Sequence, residues 1–466
     1  MNSKDGLSAS RRAFLKQASR LSIAGVAAPW AINLAAMAEA SAANATDYKA
    51  LVCVFLYGGN DYANTVVPYD APSHALYQQF RPSFAYARER LIATALAPAG
   101  APLDSTGAAH QYALAPELSK LMPLFDAGRL GVMLNIGSLV QPTTKQQYLA
   151  KSVRLPPKLF SHNDQQSVWQ SSLPEGATSG WGGRMGDLFQ ASNANATFTC
   201  VNVAGDAVYL AGKTAVQYQV STGGPVPLAG LKSPLFGSSA ASAALRTLVT
   251  EPRTHLLENE YNRVSKRSIE ANEVLTSALA SVPALATTFP AANTLADQLK
   301  LVARMIAAAP ALGTKRQVFF VSLGGFDNHD AMLTDHPVLM SKLGDALAAF
   351  YAATVELSVA DKVTSFTASD FGRTLTGNAN GSDHGWGSMH FVMGDAVKGK
   401  RFYGIAPVVA NGGPDDVGQG RLLPTTSVEQ LAATLGAWLG VSDSELLAML
   451  PTLANYNSSV RNLGFV

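Results

Sequence analysis

The chain contains 466 residues, of which 47% are hydrophobic, and it carries a formal net charge of +2. This size and composition predict a sizeable folded core, and the absence of a basic patch argues against a nucleic-acid partner. The only two cysteines, Cys53 and Cys200, lie in apolar strand-like runs. We interpret them as buried small hydrophobes; a single disulfide stays open, and a thiol metal site is disfavoured.

The N-terminus has the pattern of an export signal. The letters SRRAFLK begin at Ser10 and carry a twin arginine, and a largely apolar stretch runs from Leu21 to Ala36 before small-residue cleavage sites. Residues 1–42 are therefore predicted to be a twin-arginine signal peptide, which implies the twin-arginine translocase as a partner and a periplasmic or secreted destination. An amphipathic surface helix fits less well, because both arginines precede an uncharged apolar block.

Apolar runs alternate with helical segments along the rest of the chain. Strands are predicted at Lys49–Tyr57, Leu130–Ile136, Thr197–Val203, Gln317–Leu323, Val363–Ala368 and Met389–Met393. Helices are predicted at Pro116–Ala127, Leu257–Ser281, Ala296–Ala309, Pro337–Leu357, Val428–Leu439 and Ser442–Leu450. This alternation predicts an α/β fold of three α/β/α layers around a mostly parallel central sheet.

Two further features concern the organisation of residues 43–466, which are predicted to form one domain. Between 204 and 281 the pattern changes to a stretch rich in Gly, Ser, Pro and Ala, followed by a long charged helix. We interpret this region as an inserted lid or cap. After the signal, no segment approaches the roughly 20 unbroken apolar residues that span a bilayer, so an integral membrane protein is not expected.

Polar groups gather directly after several predicted strands or near helix starts. The letters YGGND follow the first strand, where glycines permit close approach of a ligand, and Asp61 is either a carboxylate ligand or a helix cap. The letters SHND begin at Ser161, which could be a nucleophile, and His162 could be a ligand or a base. Asp164 in the same motif could equally cap a helix.

Two later motifs complete the candidate site. Asp327 and His329 lie two residues apart on a turn after a strand and can face one cation, with donors that suit zinc, manganese or iron; a capped turn explains them equally well. Asp370 ends another strand, and His384 follows a glycine-rich loop. Because parallel strands deliver such loops to one edge, these groups predict a shared metal site. Arg373 either binds an anionic phosphate or sulfate or forms a salt bridge to Asp370 or Asp383.

The order of these motifs resembles a known family. After the twin-arginine signal come strand-GGND, S-H-x-D-x-Q, GG-x-D-x-H, S-D-F-G-R-T and DHGWG. This order resembles the exported bacterial family called domain of unknown function 1501, which is distantly similar to the alkaline phosphatase and sulfatase superfamily. The match extends from about Lys49 to the C-terminal helices, and the region 204–281 is its least distinctive part.

The resemblance implies an alkaline phosphatase-like domain that hydrolyses phosphate or sulfate esters with one or two divalent metals such as zinc, manganese or calcium. It implies the metal ligands Asp61, Asp327, His329, Asp370 and His384 and the nucleophile Ser161. His162 beside Ser161 is not the usual arrangement of the superfamily; His162 and Arg373 are added to the catalytic candidates from their own chemistry. The chain departs from the superfamily at Phe371, where a phosphatase has a further histidine, and it lacks the C-x-P-S-R motif of formylglycine sulfatases. The alternative is therefore a non-catalytic periplasmic binding or assembly protein.

Overall fold

The computed structural model describes residues 45–205 and 207–466, so the predicted signal peptide lies outside the described residues. The strands are β1 (Lys49–Leu56), β2 (Val66–Pro68), β3 (Tyr112–Leu114), β4 (Leu130–Gly137), β5 (Cys200–Asn202), β6 (Tyr218–Gln219), β7 (Arg316–Leu323), β8 (Val363–Ser369), β9 (Arg373–Gly377), β10 (Ser382–His384), β11 (Ser388–Met393), β12 (Phe402–Tyr403) and β13 (Thr426–Ser427).

The α-helices are α1 (Ala71–Phe80), α2 (Met122–Asp126), α3 (Lys145–Ala150), α4 (His162–Ser171), α5 (Trp181–Phe189), α6 (Ala229–Lys232), α7 (Ser239–Thr250), α8 (Leu256–Ser281), α9 (Thr294–Ala307), α10 (Ala309–Leu312), α11 (Met332–Glu356), α12 (Val428–Leu439) and α13 (Asp443–Met449). Short 3₁₀ helices include Tyr62–Asn64 and Pro116–Leu121.

Nine of the strands form the central sheet. Its order is β12-β4-β11-β8-β1-β7-β5-β6, with β13 also paired to β4. Strand β1 is parallel to both β7 and β8, and β5 is parallel to β7 and β6. Only β11 runs antiparallel to its neighbours, β4 and β8. The predicted α/β class with a mostly parallel sheet is confirmed, and the strand predicted near Met389 is the one that reverses direction.

Strand β1 shows why the sheet is covered on both faces. All of its residues after Lys49 are buried, which is the pattern of a strand between two layers. Val52 and Val54 belong to a core cluster that also contains residues of α9 and α11. On the opposite face Phe366 of β8, in register with Cys53, lies 5.5 Å from the ring of Trp181 in α5. Alternate side chains of the strands therefore join two separate helical layers to the sheet.

The two cysteines are free and buried. Cys53 on β1 and Cys200 on β5 pair with opposite sides of β7, through Phe320 and Val318 respectively. Two inter-strand spacings of about 4.8 Å separate them, which exceeds the roughly 7 Å limit between Cα atoms that a disulfide can bridge. The disulfide left open by the sequence is therefore excluded by the sheet topology.

The region 204–281 contributes to the body of the protein as well as extending from it. Its short strand β6 forms the edge of the central sheet next to β5. In the second half of α8, Leu275 and Leu279 are buried in the main core, whereas the first turns of that helix are exposed. Among the described residues, this region is thus partly an extension of the sheet.

One helix among the described residues, α11, is long and apolar enough to span a membrane, and half of its most apolar stretch is buried within the protein. It packs against α9 and the 3₁₀ helix Pro116–Leu121. Leu343 and Phe350 of α11 belong to the main core cluster. The apolar character of α11 is therefore accounted for by its position in a helical layer on the sheet.

Two buried histidines predict a loss of stability at mildly acidic pH. Burial lowers the pKa of His336 to about 4 and of His390 to about 3, from an ordinary 6.5. Because unfolding lets each ring bind a proton, stability is fully present above about pH 6.5 and is lost as the pH falls towards these values. Between pH 7 and 5 each histidine should cost about 2 kcal/mol.

Urea unfolding at the two pH values tests this expectation. In His390→Gln the difference in unfolding free energy between pH 7 and 5 should shrink by about 2 kcal/mol relative to the unsubstituted chain. His255→Gln is the matched control, because that histidine is exposed. An unchanged pH dependence in His390→Gln would contradict the assignment of a neutral buried ring.

Candidate metal centre

The candidate site lies beyond the carboxyl ends of β1, β7 and β8. Asp370 directly follows β8, and its Oδ1 accepts a hydrogen bond of 3.2 Å from the backbone N–H of Gly58, just after β1. Asp327 follows β7 on the adjacent turn. Gly58 has a φ of +115°, and a Cβ there would lie 2.4 Å from the backbone nitrogen of Asp327. Only glycine allows the two turns to approach so closely.

Three histidine rings converge on the carboxylate of Asp327. The Nε2 atom of His162 lies 3.4 Å from Asp327 Oδ2, and that of His384 lies 3.2 Å from Oδ1. The Nε2 atom of His329 lies 3.1 Å from the same Oδ1 and 2.9 Å from His384 Nε2. Ligand atoms of His162, Asp327 and His384 all lie within 4.8 Å of one another, which is a spacing that can hold one metal ion.

Each ring is oriented through its other nitrogen. His162 Nδ1 lies 2.7 Å from Asp370 Oδ2, and His329 Nδ1 lies 3.1 Å from Asp383 Oδ1. His384 Nδ1 lies 2.7 Å from the backbone carbonyl of Phe160, which can only accept, so Nδ1 must carry the hydrogen. In a neutral ring the lone pair is then on Nε2. Metal-binding histidines are typically held in this way by a carboxylate or carbonyl partner.

The Nε2 atoms of the three histidines and the carboxylate oxygens of Asp327 can all donate an electron pair. His162 Nε2 is buried and has no hydrogen-bond partner among the described residues. Arg373 offsets the charge of Asp327. Three neutral rings that carry their hydrogens on Nδ1 would still direct three Nε2 lone pairs towards one another, which is unfavourable unless a proton or a further cation lies among them. Imidazole nitrogen and carboxylate oxygen are donors that divalent metals accept, so these residues fit the predicted group.

The pKa values differ among these groups for identifiable reasons. The hydrogen bond to Asp370 raises the pKa of His162 despite its partial burial. Burial lowers the pKa of His384, although the carbonyl of Phe160 opposes this effect. Burial alone would raise the pKa of Asp327, but the hydrogen bond and charge of Arg373 outweigh it and lower that pKa. The carboxylate is therefore ionised at neutral pH.

Local backbone geometry brings α4 to the site. Phe160 has a φ of +72°, which is uncommon for an aromatic residue, and this turn directs its carbonyl to His384. Ser161 is the N-cap residue of α4 and His162 is its first residue. One turn later, Gln166 donates to Asp370 Oδ2 at 2.8 Å. The helix start therefore supplies both an inward-facing ring and a support for the carboxylate behind it.

Arg373 is occupied by protein groups. Its side chain is fully buried, and Nη1 donates to Asp327 Oδ1 at 2.6 Å and to the carbonyl of Gly58 at 3.2 Å. Nη2 donates to the carbonyl of Ser382. The sequence left open an anion-binding role or a salt bridge to Asp370 or Asp383. The structure shows a salt bridge, but to Asp327, so Arg373 holds that carboxylate in place.

Two predicted ligands lie outside the converging atoms. Asp61 is buried, pairs with Arg81 at 2.7 Å and caps the 3₁₀ helix Tyr62–Asn64 through the N–H of Asn64. It also accepts a hydrogen bond of 2.8 Å from Ser382 Oγ, so both of its oxygens are engaged by other described residues. Asp370 contacts Nδ1 of His162, whereas the converging atom of that ring is Nε2. The structure thus shows Asp61 as a helix cap paired with Arg81, and Asp370 in contact with His162 Nδ1.

Ser161 lies next to His162 in the chain but makes a different contact. Its Oγ donates to Asp164 Oδ2 at 2.9 Å, and Lys158 Nζ lies 3.5 Å from the same oxygen. The predicted nucleophile is thus paired with a carboxylate at the start of α4. Reasoning from the sequence assigned no role to Phe160 or Gln166, and it considered Asp383 only as a salt-bridge partner of Arg373. Asp383 directly precedes His384, and Gln166 is four residues after His162, so spacing alone offered a weak signal for both.

The centre is open to solvent on one side. The side chains of Asp327 and His329 are 46% and 44% exposed, whereas those of His162 and Asp370 are 27% and 0% exposed. A buried side therefore supports the rings while an open side leaves access for a further ligand. Catalytic metal sites differ from structural ones in keeping such an open position.

The fold and the centre together define an α/β protein with a histidine-rich donor cluster at the carboxyl ends of parallel strands. The chain belongs to the DUF1501 family: the model of that family, described as "Protein of unknown function (DUF1501)", matches residues 48–452. The resemblance stated from the motifs is thereby confirmed. No curated protein matches the sequence.

Several solved structures are loosely similar to the chain. Ps i-CgsB in complex with k-i-k-neocarrahexaose is 11% identical, with a TM-score of 0.34 over 88% of this chain and 77% of that chain. A Bacteroides thetaiotaomicron protein from a locus for the metabolism of multiple glycosaminoglycans is 11% identical, with a TM-score of 0.33 over 86% and 74%. The PsFucS1 sulfatase from Pseudoalteromonas sp. is 9% identical, with a TM-score of 0.31 over 88% and 71%. Likeness at this level does not carry a function.

Proposed function

We propose that the chain is an exported, metal-dependent hydrolase of phosphate or sulfate esters, delivered to the periplasm by the signal at residues 1–42. The observation that carries the proposal is the convergence of three Nε2 atoms on Asp327, each ring being held through Nδ1 by a separate partner. The ligand set is His162, His329, His384 and Asp327. It replaces the set expected from the sequence, which included Asp61 and Asp370 and treated His162 as catalytic.

The donor types favour one class of metal. Three imidazole nitrogens with one carboxylate suit zinc, iron or manganese, whereas calcium prefers a shell of six to eight oxygens. Phe371 supports a single ion, because its ring lies 4.9 Å from that of His162 and 4.7 Å from that of His384. An apolar ring thus fills the place beside the centre where a phosphatase has a further histidine.

The chain's own residues have distinct roles in this proposal. A bound divalent metal would supply Lewis-acid polarisation of the ester oxygen. Asp370, Asp383 and the Phe160 carbonyl fix the rings, and Arg373 fixes Asp327. Ser161 is the proposed nucleophile: its Oγ forms a bond to phosphorus or sulfur as the bond to the ester oxygen breaks. Asp164 takes the proton of Oγ and gives it to the departing alcohol, and water then hydrolyses the seryl ester and restores Ser161.

Metal analysis of the protein purified from the periplasm, followed by a panel of phosphate and sulfate esters, tests the proposal. We expect about one equivalent of zinc, iron or manganese per chain and hydrolysis that a chelator abolishes. A folded protein that retains no metal after supply of each ion would overturn it. Metal binding without hydrolysis of any ester would instead favour the alternative, a non-catalytic periplasmic binding protein, for which Phe371 is the supporting observation.

Replacement of Ser161 by alanine separates the nucleophile from the metal centre. Because Ser161 Oγ contacts Asp164 and none of the converging Nε2 atoms, Ser161→Ala should retain metal while the rate of ester hydrolysis falls by about 10³-fold or more. Steady-state kinetics with metal content measured on the same samples distinguishes the two effects. A variant that keeps nearly full activity would show that Ser161 is not the nucleophile.

A further inference from the structure

Helix α8 carries an apolar stripe of which only one half is covered. Leu257, Tyr261 and Val264 follow one another at spacings of four and three residues, and they are 73%, 67% and 44% exposed. The same helical face continues through Ala271 and Leu275, which are buried. A stripe at this spacing is the pattern of a helix that packs against a partner. The first turns of α8 therefore expose apolar side chains on the same helical face that packs against the protein further along the helix.

A groove lies beside the middle of this stripe. Val264, Ser268 and Ala271 of α8 line one wall, and Val216 and Tyr218 contribute to the other. The groove has a volume of about 420 Å³, and Val216 is 59% exposed. The small side chains of Ser268 and Ala271 leave room there for a side chain from outside. The exposed apolar side chains of Leu257 and Tyr261 thus lie on the same helix as a groove that has room for such a side chain.

We propose that α8 of one copy of this chain pairs with α8 of a second copy in antiparallel orientation, forming a two-fold symmetric dimer. With the axis between Tyr261 and Val264, Tyr261 of each copy packs on Val264 of the other. The same register places Leu257 of one copy over Ser268 of the other, at the groove. Such a contact is self-complementary, as a two-fold interface requires.

Charges beside the stripe agree with this register. Glu260 and Arg267 lie seven residues apart on the same side of the apolar face. Antiparallel pairing brings Glu260 of each copy next to Arg267 of the other, so two opposite-charge pairs flank the interface. Parallel pairing would instead set Glu260 beside Ser265 and Arg267 beside Asn272 of the other copy, so neither charge would meet an opposite one across the interface. Within its own helix Glu260 also contacts Arg263. An anionic membrane surface fits less well, because Glu258 and Glu260 stand among the basic residues of these turns.

Sedimentation velocity over about a hundredfold range of protein concentration tests the proposal. The unsubstituted chain should show a monomer–dimer equilibrium. Leu257→Glu should shift it to monomer, and Val355→Glu, at a valine on α11 that is 51% exposed, should leave it unchanged. Both positions are on the surface, so circular dichroism should show that the variants remain folded. A chain that is monomeric throughout, or one whose dimer survives Leu257→Glu, would overturn the proposal.

Charge exchange tests the register itself. Glu260→Arg and Arg267→Glu should each raise the dimer dissociation constant by about tenfold, since each places like charges side by side twice. The double exchange should restore the dissociation constant to within about threefold of its original value. Failure of the double exchange to recover would overturn the antiparallel register. A role of either residue within one subunit would not produce this recovery between subunits.

Discussion

Replacement of His384 by alanine is expected to reduce the affinity of the purified protein for zinc. The reduction should be larger than for replacement of a residue, such as Asp370, that only contacts the Nδ1 atom of a metal-binding histidine. His384 Nε2 lies 3.2 Å from Asp327 Oδ1 and 2.9 Å from His329 Nε2, at the middle of the converging donors. Removal of the ring takes away one ligand, and it also leaves the carbonyl of Phe160 without its partner. We expect zinc affinity to fall by more than the 10- to 100-fold that is typical when a residue that orients a ligand is replaced.

Replacement of Asp370 by asparagine provides the matched comparison, because it preserves size while it exchanges the carboxylate for a neutral amide. Both oxygens of Asp370 accept hydrogen bonds, from Gly58, His162 and Gln166. The amide of an asparagine would turn a donor towards one of these donors, so His162 would no longer be held correctly. The expected loss of zinc affinity is about 10- to 100-fold.

Competition with a chromophoric chelator measures both affinities, and His255→Ala serves as a control because that histidine is exposed on another part of the chain. The predicted order of zinc affinity is unsubstituted and His255→Ala, then Asp370→Asn, then His384→Ala. Equal zinc affinity in all four proteins would show that zinc is not held by these rings. A greater loss in Asp370→Asn than in His384→Ala would return Asp370 to the role of direct ligand.

Replacement of Asp61 by alanine is expected to destabilise the fold by about 3–5 kcal/mol. The change would leave the guanidinium of Arg81 buried without its counter-charge, since the side chains of Arg81 and Asp61 are 0% and 1% exposed. Arg81 also donates to the carbonyls of Thr374 and Leu375, so it ties the end of α1 to β9, the strand that begins at Arg373. The loss should therefore appear as global instability.

Urea unfolding monitored by circular dichroism measures this effect. Glu273→Ala, which removes an exposed partner of Arg246, is the control and should change the unfolding free energy by less than about 1 kcal/mol. Zinc affinity of folded Asp61→Ala should stay within a few-fold of the unsubstituted chain. A stable Asp61→Ala protein that loses its metal would show instead that the sequence-based assignment of Asp61 as a ligand was right.

The sequence alone determined the fold class, the family and the parts of the chain that meet at the sheet edge. Runs such as β1 are apolar at nearly every position, and this pattern is sufficient to identify strands buried on both faces. Glycine-rich turns with Asp or His directly after β1, β7 and β8 were recognisable because such loops share one edge of a parallel sheet. Asp327, His329 and His384 were located by this reasoning.

Only the tertiary structure decided what each of those groups contacts. Asp61 and Asp370 occupy equivalent places after parallel strands, yet Asp61 turns to the buried Arg81 and Asp370 turns to the back of His162. The partners of both aspartates are distant in sequence, so local spacing carries no information about them. The separation of Cys53 from Cys200 by β7 depended on strand order in the same way. A motif specifies which chemical groups reach an edge, whereas long-range packing specifies which of them face the same point in space.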